Sequence, residues 1–209
     1  MPYQGPGAVG LAKPLKSILH MNAGIPIYLG TGTEAMVRLT GEIADGWLPL
    51  GFVPGSLREY LSWLEQGFAQ ASNGKSLRDL EIMASCHVRV DDDVRAALAA
   101  LKPETALYVS GMGARSKNFH KLLMTRRGFG AEAERIQELY LAGRKDEAAA
   151  AVPDEWVDQK SLVGPRARIL ARFRGWADSG ATLLGVRTQQ DEAVEVMAEA
   201  LHSAGARDC

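Results

Sequence analysis

Residues 25–50 have the sequence IPIYLGTGTEAMVRLTGEIADGWLPL, which is typical of a β-strand, a glycine-rich loop, a helix and a second strand in succession. The first apolar run spans 25–29 and is closed by Gly-Thr-Gly-Thr at 30–33, and the second apolar run spans 47–50. Between the two runs, positions on the predicted apolar face recur at helical spacing, namely Met36, Leu39, Thr40 and Ile43. The segment therefore predicts a βαβ unit with parallel strands and a right-handed crossover.

Beyond this unit the chain continues to alternate helices with strands. Residues 57–71 place apolar side chains on one helical stripe, and residues 81–90 alternate apolar and polar side chains as a half-buried strand does. Three aspartates, Asp91–Asp93, can cap the first helix of a helical region over 94–151. Because this region is polar at 115–121, we do not expect it to line a core.

The C-terminal part predicts a further helix, a strand and a last helix. Pro165 follows Gly164 at a position suited to a helical first turn, and the helix that follows has an apolar face formed by Ile169, Leu170, Phe173 and Trp176. A short buried strand is predicted at 181–186, and a helix at 190–204 with Val194, Met197 and Leu201 on its apolar face. The resulting four parallel strands form half of an eight-stranded barrel or a small doubly wound sheet.

The composition is that of a soluble globular protein. Of 209 residues, 46% are hydrophobic and 23% charged, and 24 basic side chains nearly balance 25 acidic ones, for a formal net charge of -1. Such a chain has no strong field for nucleic acid or an anionic membrane, and it lacks an apolar run of about 18 residues that could span a bilayer. Since only Cys86 and Cys209 occur, we expect no disulfide framework, no zinc site and a cytoplasmic location.

The loop at 30–33 is the strongest candidate for a binding site. Its two glycines let the backbone approach a ligand, Thr31 and Thr33 offer hydroxyl groups, and the next helix offers free N–H groups, all of which suit a phosphate. The same residues also fit an ordinary turn with Thr33 as the helix N-cap, and the sequence is neither a Walker loop nor a dinucleotide-binding fingerprint. We expect Gly32→Val to weaken phosphate binding far more than it lowers stability.

Other candidate residues carry weaker signals. His87 and Arg89 lie on the polar side of the strand at 81–90, which would face the interior or the mouth of a barrel. None of the histidines has a catalytic partner at a diagnostic spacing, so the catalytic residues stay unassigned. A basic cluster could contact an anionic cofactor tail, although a solvated helix face is the simpler interpretation: Arg115, Lys117, Lys121, Arg126 and Arg127.

Three segments of the chain resemble the luciferase-like monooxygenase superfamily. They are IPIYLGTGTEAMVRLTGEIADGWLPLGF, LKPETALYVSGMGARSKNFH and VPDEWVDQKSLVGPRARILARFRGWADSGATLLGV. The match is most similar to the branch that uses the deazaflavin coenzyme F420. It implies an α/β fold that is the C-terminal half of a TIM (β/α)8 barrel, a single truncated domain over 1–209 with a helical insert at 94–151. Barrel strands five to eight would lie at 26–30, 46–50, 82–90 and 181–186.

The resemblance also implies a site and a cofactor. In this family the loop after the fifth strand helps to bind the coenzyme phosphate, and the end of the sixth strand borders the ring system. Carried over, the cofactor-binding residues are Gly30, Thr31, Gly32, Thr33, Trp47, Leu48 and Pro49. The implied cofactor is coenzyme F420, with flavin mononucleotide (FMN) as the alternative, and no metal is implied. This chain has Gly-Thr at 32–33 where many relatives have Gly-Pro.

The activity implied by the resemblance is an oxidoreductase, monooxygenase-like in family, that transfers a hydride between reduced coenzyme and a small organic substrate. The usual acid/base residues belong to barrel strands one to four, which are expected before residue 1, so none can be assigned here. Two alternatives remain: a non-catalytic half-barrel that binds phosphate or flavin or pairs with a partner chain, and an unrelated phosphate-binding α/β enzyme. Four strands would leave an inner face bare, so we expect a homodimer or a complementing barrel half.

Overall fold

The computed structural model describes residues 18, 22, 24–114 and 117–205. The described residues form a five-stranded sheet whose strands are β1 (Tyr28–Thr31), β2 (Gly46–Pro49), β3 (Glu81–Val90), β4 (Ser161–Gly164) and β5 (Leu183–Arg187). The helices are α1 (Glu34–Ile43), α2 (Leu61–Phe68), α3 (Val94–Ser110), α4 (Phe119–Arg126), α5 (Gly130–Leu141), α6 (Lys145–Ala150), α7 (Asp154–Asp158), α8 (Arg166–Ala177) and α9 (Asp191–Gly205). Short 3-10 turns lie at Ser56–Glu59 and Leu77–Asp79.

Every strand pair in this sheet is parallel, as the alternation of strands and helices predicted. Strand β1 pairs with β2, and the long β3 pairs with β2, β5 and β4 in turn along its length. Along a β-strand, the backbone N–H and C=O groups of one residue point to one edge of the strand, and those of the next residue point to the other edge. The N–H of Glu81 donates to Asp45 beside β2, and the N–H of Asp91 donates to Gly164 of β4, whereas Ile82 accepts from Thr182 beside β5. Strands β2 and β4 therefore share one edge of β3, and β5 lies along the other.

Strand β4 was not predicted, so the expected count of four strands is wrong by one. Its four residues, Ser161–Gly164, are all buried and show no alternation, and Pro165 follows directly. The segment forms a strand because the end of β3 offers unpaired backbone groups, which pair from His87 with Ser161 to Val90 with Gly164. The bounds of the predicted strands differ from the observed ones by one or two residues.

Helices α1, α2, α8 and α9 cover one face of the sheet and bury the main hydrophobic core. The even-numbered residues of β3 point into this core, as their period-two spacing predicted: Ile82, Ala84, Cys86 and Val88. The predicted apolar face of α8 is also confirmed, with Ile169, Phe173 and Trp176 buried. Burial raises the pKa of the Cys86 thiol to about 12.

The predicted apolar faces of α1 and α9 are wrong in part. In α1, Thr40 is buried as predicted, but Met36 and Ile43 are exposed, and Val37 and Gly41, which were not predicted, are buried. In α9, Met197 is buried as predicted, but the other buried residues are Ala193, Val196 and Ala200, and Val194 and Leu201 are exposed. The helix predicted at 57–71 is shorter, with a 3-10 turn before α2.

Helices α1 and α2 cross at two glycines, which explains why the buried face of α1 differs from the predicted one. A Cβ added to Gly41 would lie 2.6 Å from the carbonyl oxygen of Leu64, and one added to Gly67 would lie 2.1 Å from the carbonyl oxygen of Arg38. The two backbones are therefore in direct contact, closer than any larger side chain allows. Hydrophobic periodicity does not detect a packing face made of glycine.

The insert between β3 and β4 forms a second hydrophobic core, so the expectation that it is too polar to line one is wrong. Helices α3–α7 bury a set of apolar side chains that includes Leu98, Val109, Met124, Ile136 and Trp156. The insert begins where predicted, because the Asp93 carboxylate caps α3 by accepting the N–H of Ala96 at 3.0 Å. At the next corner the Asn118 amide donates to the carbonyl oxygens of Tyr108, Val109 and Met112.

The sheet face away from the main core carries exposed apolar side chains. Strand register places them on one surface: Tyr28, Leu48, Met83 and Leu183. The insert covers this inner face only near the carboxyl ends of the strands. None of the described helices combines the length and the apolar character needed to cross a membrane.

Candidate functional site

A cavity of about 840 Å³ opens between the carboxyl ends of the strands and the insert. Residues 30–33 and 48–51, which end β1 and β2, form one wall, and Ser85 and His87 of β3 form the floor. Helices α3 and α4 form the opposite wall. Ligands of parallel α/β proteins bind at this edge of the sheet, where loops bring side chains from several strands together.

All but one of the residues predicted to bind a cofactor line this cavity, namely Gly30, Thr31, Gly32, Thr33, Leu48 and Pro49. The exception is Trp47, which is fully buried in the main core. Its indole N–H donates to the carbonyl oxygen of Thr31 at 3.1 Å. Trp47 therefore supports the loop from behind the sheet.

Within the loop, the two threonines have different roles. The Thr31 hydroxyl lies 2.9 Å from the hydroxyl of Thr40, which itself donates to the carbonyl oxygen of Met36. The Thr31 hydroxyl therefore holds β1 against α1. Thr33 stands at the N-cap of α1, but its side chain makes no capping hydrogen bond and is exposed. The ordinary capped turn is therefore not formed, and the Thr33 hydroxyl remains free for a ligand.

The two loop glycines also differ. A Cβ added to Gly30 would meet nothing within 4 Å, so this position is open toward the cavity. A Cβ added to Gly32 would lie 2.9 Å from the Cβ of Leu50. Gly32→Val would therefore disturb the packing of the loop as well as any ligand, and Gly30 is the position at which binding alone can be tested.

A carboxylate network closes one side of the cavity. Glu104 of α3 lies 3.0 Å from His87 Nε2 and 2.9 Å from Arg187 Nη1, so it ties the insert to β3 and β5. Burial lowers the pKa of His87, and Glu104 opposes this effect. His87 faces the cavity as predicted for its side of the strand. Arg89 instead pairs with Asp91 at 3.2 Å.

Lys160, just before β4, also lines the cavity. Its Nζ donates to Thr105 Oγ1 at 3.2 Å and lies 5.2 Å from the centroid of the Trp156 ring. Burial is the largest cause that lowers its pKa, to about 8. The His120 ring packs against the Tyr108 ring at a centroid distance of 4.8 Å and a tilt of 46°, and burial and Lys160 lower its pKa. The sequence did not point to Lys160, because its surroundings come from separate helices of the insert and an unpredicted strand.

The predicted basic cluster does not form one surface. Among its described members Arg126 alone lines the cavity, where it donates to the Tyr60 hydroxyl at 2.8 Å. Arg127 donates to the carbonyl oxygen of Gly51 at 2.7 Å, and Lys121 pairs with Glu134 at 2.5 Å. Arg115 lies outside the described residues.

Comparison with known proteins agrees with the resemblance noted in the sequence. The family model described as luciferase-like monooxygenase matches residues 4–183. The chain belongs to this family. One family relative is Rv3520c of Mycobacterium tuberculosis, provisionally named a coenzyme F420-dependent oxidoreductase, which is 40% identical over 199 residues. Another is the 5,10-methylenetetrahydromethanopterin reductase of Methanopyrus kandleri, which is 25% identical over 180 residues.

The aligned regions cover 95% and 84% of this chain but 57% and 49% of those relatives, so the chain spans about half of their length. Solved structures agree in fold. The coenzyme F420-dependent tetrahydromethanopterin reductase from Methanopyrus kandleri superposes with a TM-score of 0.66 over 84% of this chain and 50% of its own, at 23% identity. An F420-dependent secondary alcohol dehydrogenase in complex with an F420-acetone adduct gives 0.58 over 84% and 48%, at 15% identity. The predicted fold class, an α/β half of a TIM barrel, is confirmed.

Proposed function

We propose that this chain carries the coenzyme-binding side of an oxidoreductase that uses coenzyme F420 to transfer a hydride to or from a small organic substrate. The observation that carries the proposal is the loop at 30–33, which faces an 840 Å³ cavity with an open Gly30 and a free Thr33 hydroxyl. The 40% identity to a protein named for coenzyme F420 supports the choice of cofactor. A cytoplasmic location and monooxygenase chemistry stay predictions.

The residues present fit the phosphate of such a coenzyme. Gly30 and Gly32 would let the backbone approach it, the Thr33 hydroxyl would donate to it, and the positive end of the α1 dipole would attract it. Leu48 and Pro49 would contact the ring system. Glu34 works against the phosphate, because it places a carboxylate in the first turn of α1. Phosphate is common to coenzyme F420 and FMN, so these contacts would serve either.

When bound, coenzyme F420 supplies the hydride chemistry that no side chain provides. The chain's own residues position and shield the reactants. Apolar side chains of α3 and α4 exclude water from the far wall, among them Leu101, Val109 and Leu123. The Glu104 pair with His87 and Arg187 holds that wall in place over the strand ends.

We expect the protein to bind coenzyme F420 at roughly micromolar concentration, as followed by fluorescence titration, with FMN titrated alongside because the phosphate contacts would serve either coenzyme. Glu34→Gln should tighten coenzyme binding by roughly two- to fivefold, because a carboxylate leaves the end of the helix dipole where the phosphate sits. Failure of both coenzymes to bind would contradict the proposal. Binding without turnover of reduced coenzyme F420 over a panel of small substrates would favour the non-catalytic half-barrel.

We further propose that a second copy of the chain covers the exposed inner face of the sheet. Burying each large apolar side chain there contributes about 1.5–3 kcal/mol. Light scattering should therefore give twice the 22.5 kDa of one chain. Leu183→Glu should yield the single-chain mass, whereas Val194→Glu, on the exposed side of α9, should not. A monomeric wild-type protein would show that other residues cover this face.

A further inference from the structure

The charged side chains that line the cavity differ in whether they have a partner of opposite charge. Among the described residues, three are cations, Arg126, Lys160 and Arg187, and one, Glu104, is a carboxylate. Glu104 is shared by Arg187 and His87, and Arg126 lies 3.5 Å from Glu59. Lys160 has no carboxylate within 4.0 Å anywhere in residues 24–114 and 117–205. Its amine is the cavity cation that still lacks a counterion.

The nearest described neighbours of the Lys160 amine are largely apolar, and Glu104 acts on it from more than 4.0 Å away. Trp156 lies under the amine, Leu101, Val109 and Val157 also line the cavity, and the hydroxyl of Thr105 is its polar contact among the described residues. Holding a cation in such a place without a partner costs stability. A charge kept at that cost, and facing a cavity, is typical of a group that contacts a ligand.

We infer that Lys160 binds the carboxylate of an otherwise apolar substrate at the insert side of the cavity, with the Thr105 hydroxyl beside it. That the bound carboxylate is a substrate rests on the function proposed above. A single amine matches a single negative charge, whereas a phosphate dianion would bring excess charge to a wall where the described residues supply no second free cation. The apolar side chains around the amine would hold the body of the same molecule.

The inference makes binding depend on pH. The titratable and charged groups around Lys160 are Glu104, His87, His120, Arg127 and Arg187. Burial is the largest cause that lowers the pKa of Lys160, Glu104 opposes it, Arg127 and Arg187 act in the same direction as burial, and the resulting pKa is about 8. Lys160 is therefore charged below pH 8 and loses its charge above it. Carboxylate binding should be roughly tenfold weaker at pH 9 than at pH 7.

The test uses benzoate as the carboxylate and benzamide as its neutral counterpart, titrated calorimetrically into the protein without added coenzyme. We expect benzoate to bind at least about tenfold more tightly than benzamide, and Lys160→Met to remove this preference. Lys145→Met is the matched control, because Lys145 also lies over an aromatic ring, 5.6 Å from the Tyr140 centroid, but outside the cavity. Lys160→Met should also raise the unfolding temperature at pH 7, since it removes an unpaired charge from an apolar site.

Equal binding of benzoate and benzamide to the wild-type protein would overturn the inference, as would unchanged benzoate binding to Lys160→Met. Competition between benzoate and saturating coenzyme F420 would also overturn it, because Lys160 would then serve the acidic tail of the coenzyme. Failure of coenzyme F420 to bind, with the benzoate results as expected, would refute the proposed function and leave the carboxylate site standing.

Discussion

Gly30→Val is expected to weaken coenzyme F420 binding by roughly 10- to 100-fold and to leave the unfolding temperature close to that of the wild-type protein. The fold-change corresponds to about 1.4–2.8 kcal/mol. Its physical cause is the valine side chain, which would occupy the open space where the backbone of Gly30 faces the cavity. Little stability is lost, because nothing lies within 4 Å of the new Cβ and a β-branched residue suits the end of a strand. Fluorescence titration and thermal unfolding measure the two effects.

Two further variants separate this steric effect from a general disturbance of the loop. Gly30→Ala should have an intermediate effect, since a methyl group fills less of the same space. Thr33→Val should weaken binding through loss of the free hydroxyl, with no change of side-chain shape. If the Gly30→Val protein folds and binds coenzyme F420 with wild-type affinity, the loop at 30–33 is an ordinary turn that does not bind the coenzyme.

Gly67→Ala is expected to cause the largest loss of stability, about 3 kcal/mol or more. Its Cβ would lie 2.1 Å from the carbonyl oxygen of Arg38 and 2.9 Å from the backbone nitrogen of Glu42. Both neighbours are backbone atoms, so no change of rotamer can relieve the overlap and the two helices must move apart. For a chain of this size, the unfolding temperature should fall by roughly 6–12 °C or more.

Gly205→Ala is the matched control for that measurement. This glycine ends α9, and a Cβ added to it would meet nothing within 4 Å. The unfolding temperature should stay the same or rise slightly, because alanine favours helix more than glycine does. A Gly67→Ala protein as stable as the wild type would show that α1 and α2 can separate without loss, contrary to the direct backbone contact described above.

The sequence predicted the features that depend on neighbouring residues. The strand at 81–90 showed its two faces through simple alternation, and Asp93 was recognised as a cap from its position before the helix. The loop at 30–33 was predicted as a binding loop because glycine and threonine have distinctive backbone and hydrogen-bonding properties, and the structure places it at the cavity. These signals come from a few consecutive residues, so they can be read without knowledge of tertiary contacts.

Features that depend on distant contacts were not predictable in the same way. Strand β4 exists because β3 extends past β2 and leaves its backbone groups unpaired. The buried face of α1 follows from Gly67, which belongs to another helix. The environment of Lys160 is assembled from Thr105 and Trp156, which lie on separate helices of the insert. No local pattern encodes such arrangements.

The way in which the insert joins the sheet has a consequence for how the protein can diversify. The insert leaves β3 after Val90 and returns at Ser161, which pairs with His87 of the same strand, so both of its junctions lie on one strand pair. A segment with both junctions on one strand pair and a hydrophobic core of its own can be lengthened, shortened or exchanged as a module without shifting the strands. Such an exchange would replace the wall that carries Lys160 while the loop at 30–33 stays unchanged. Under the function proposed above, grafting inserts between members of the family should change substrate preference and leave coenzyme binding unchanged.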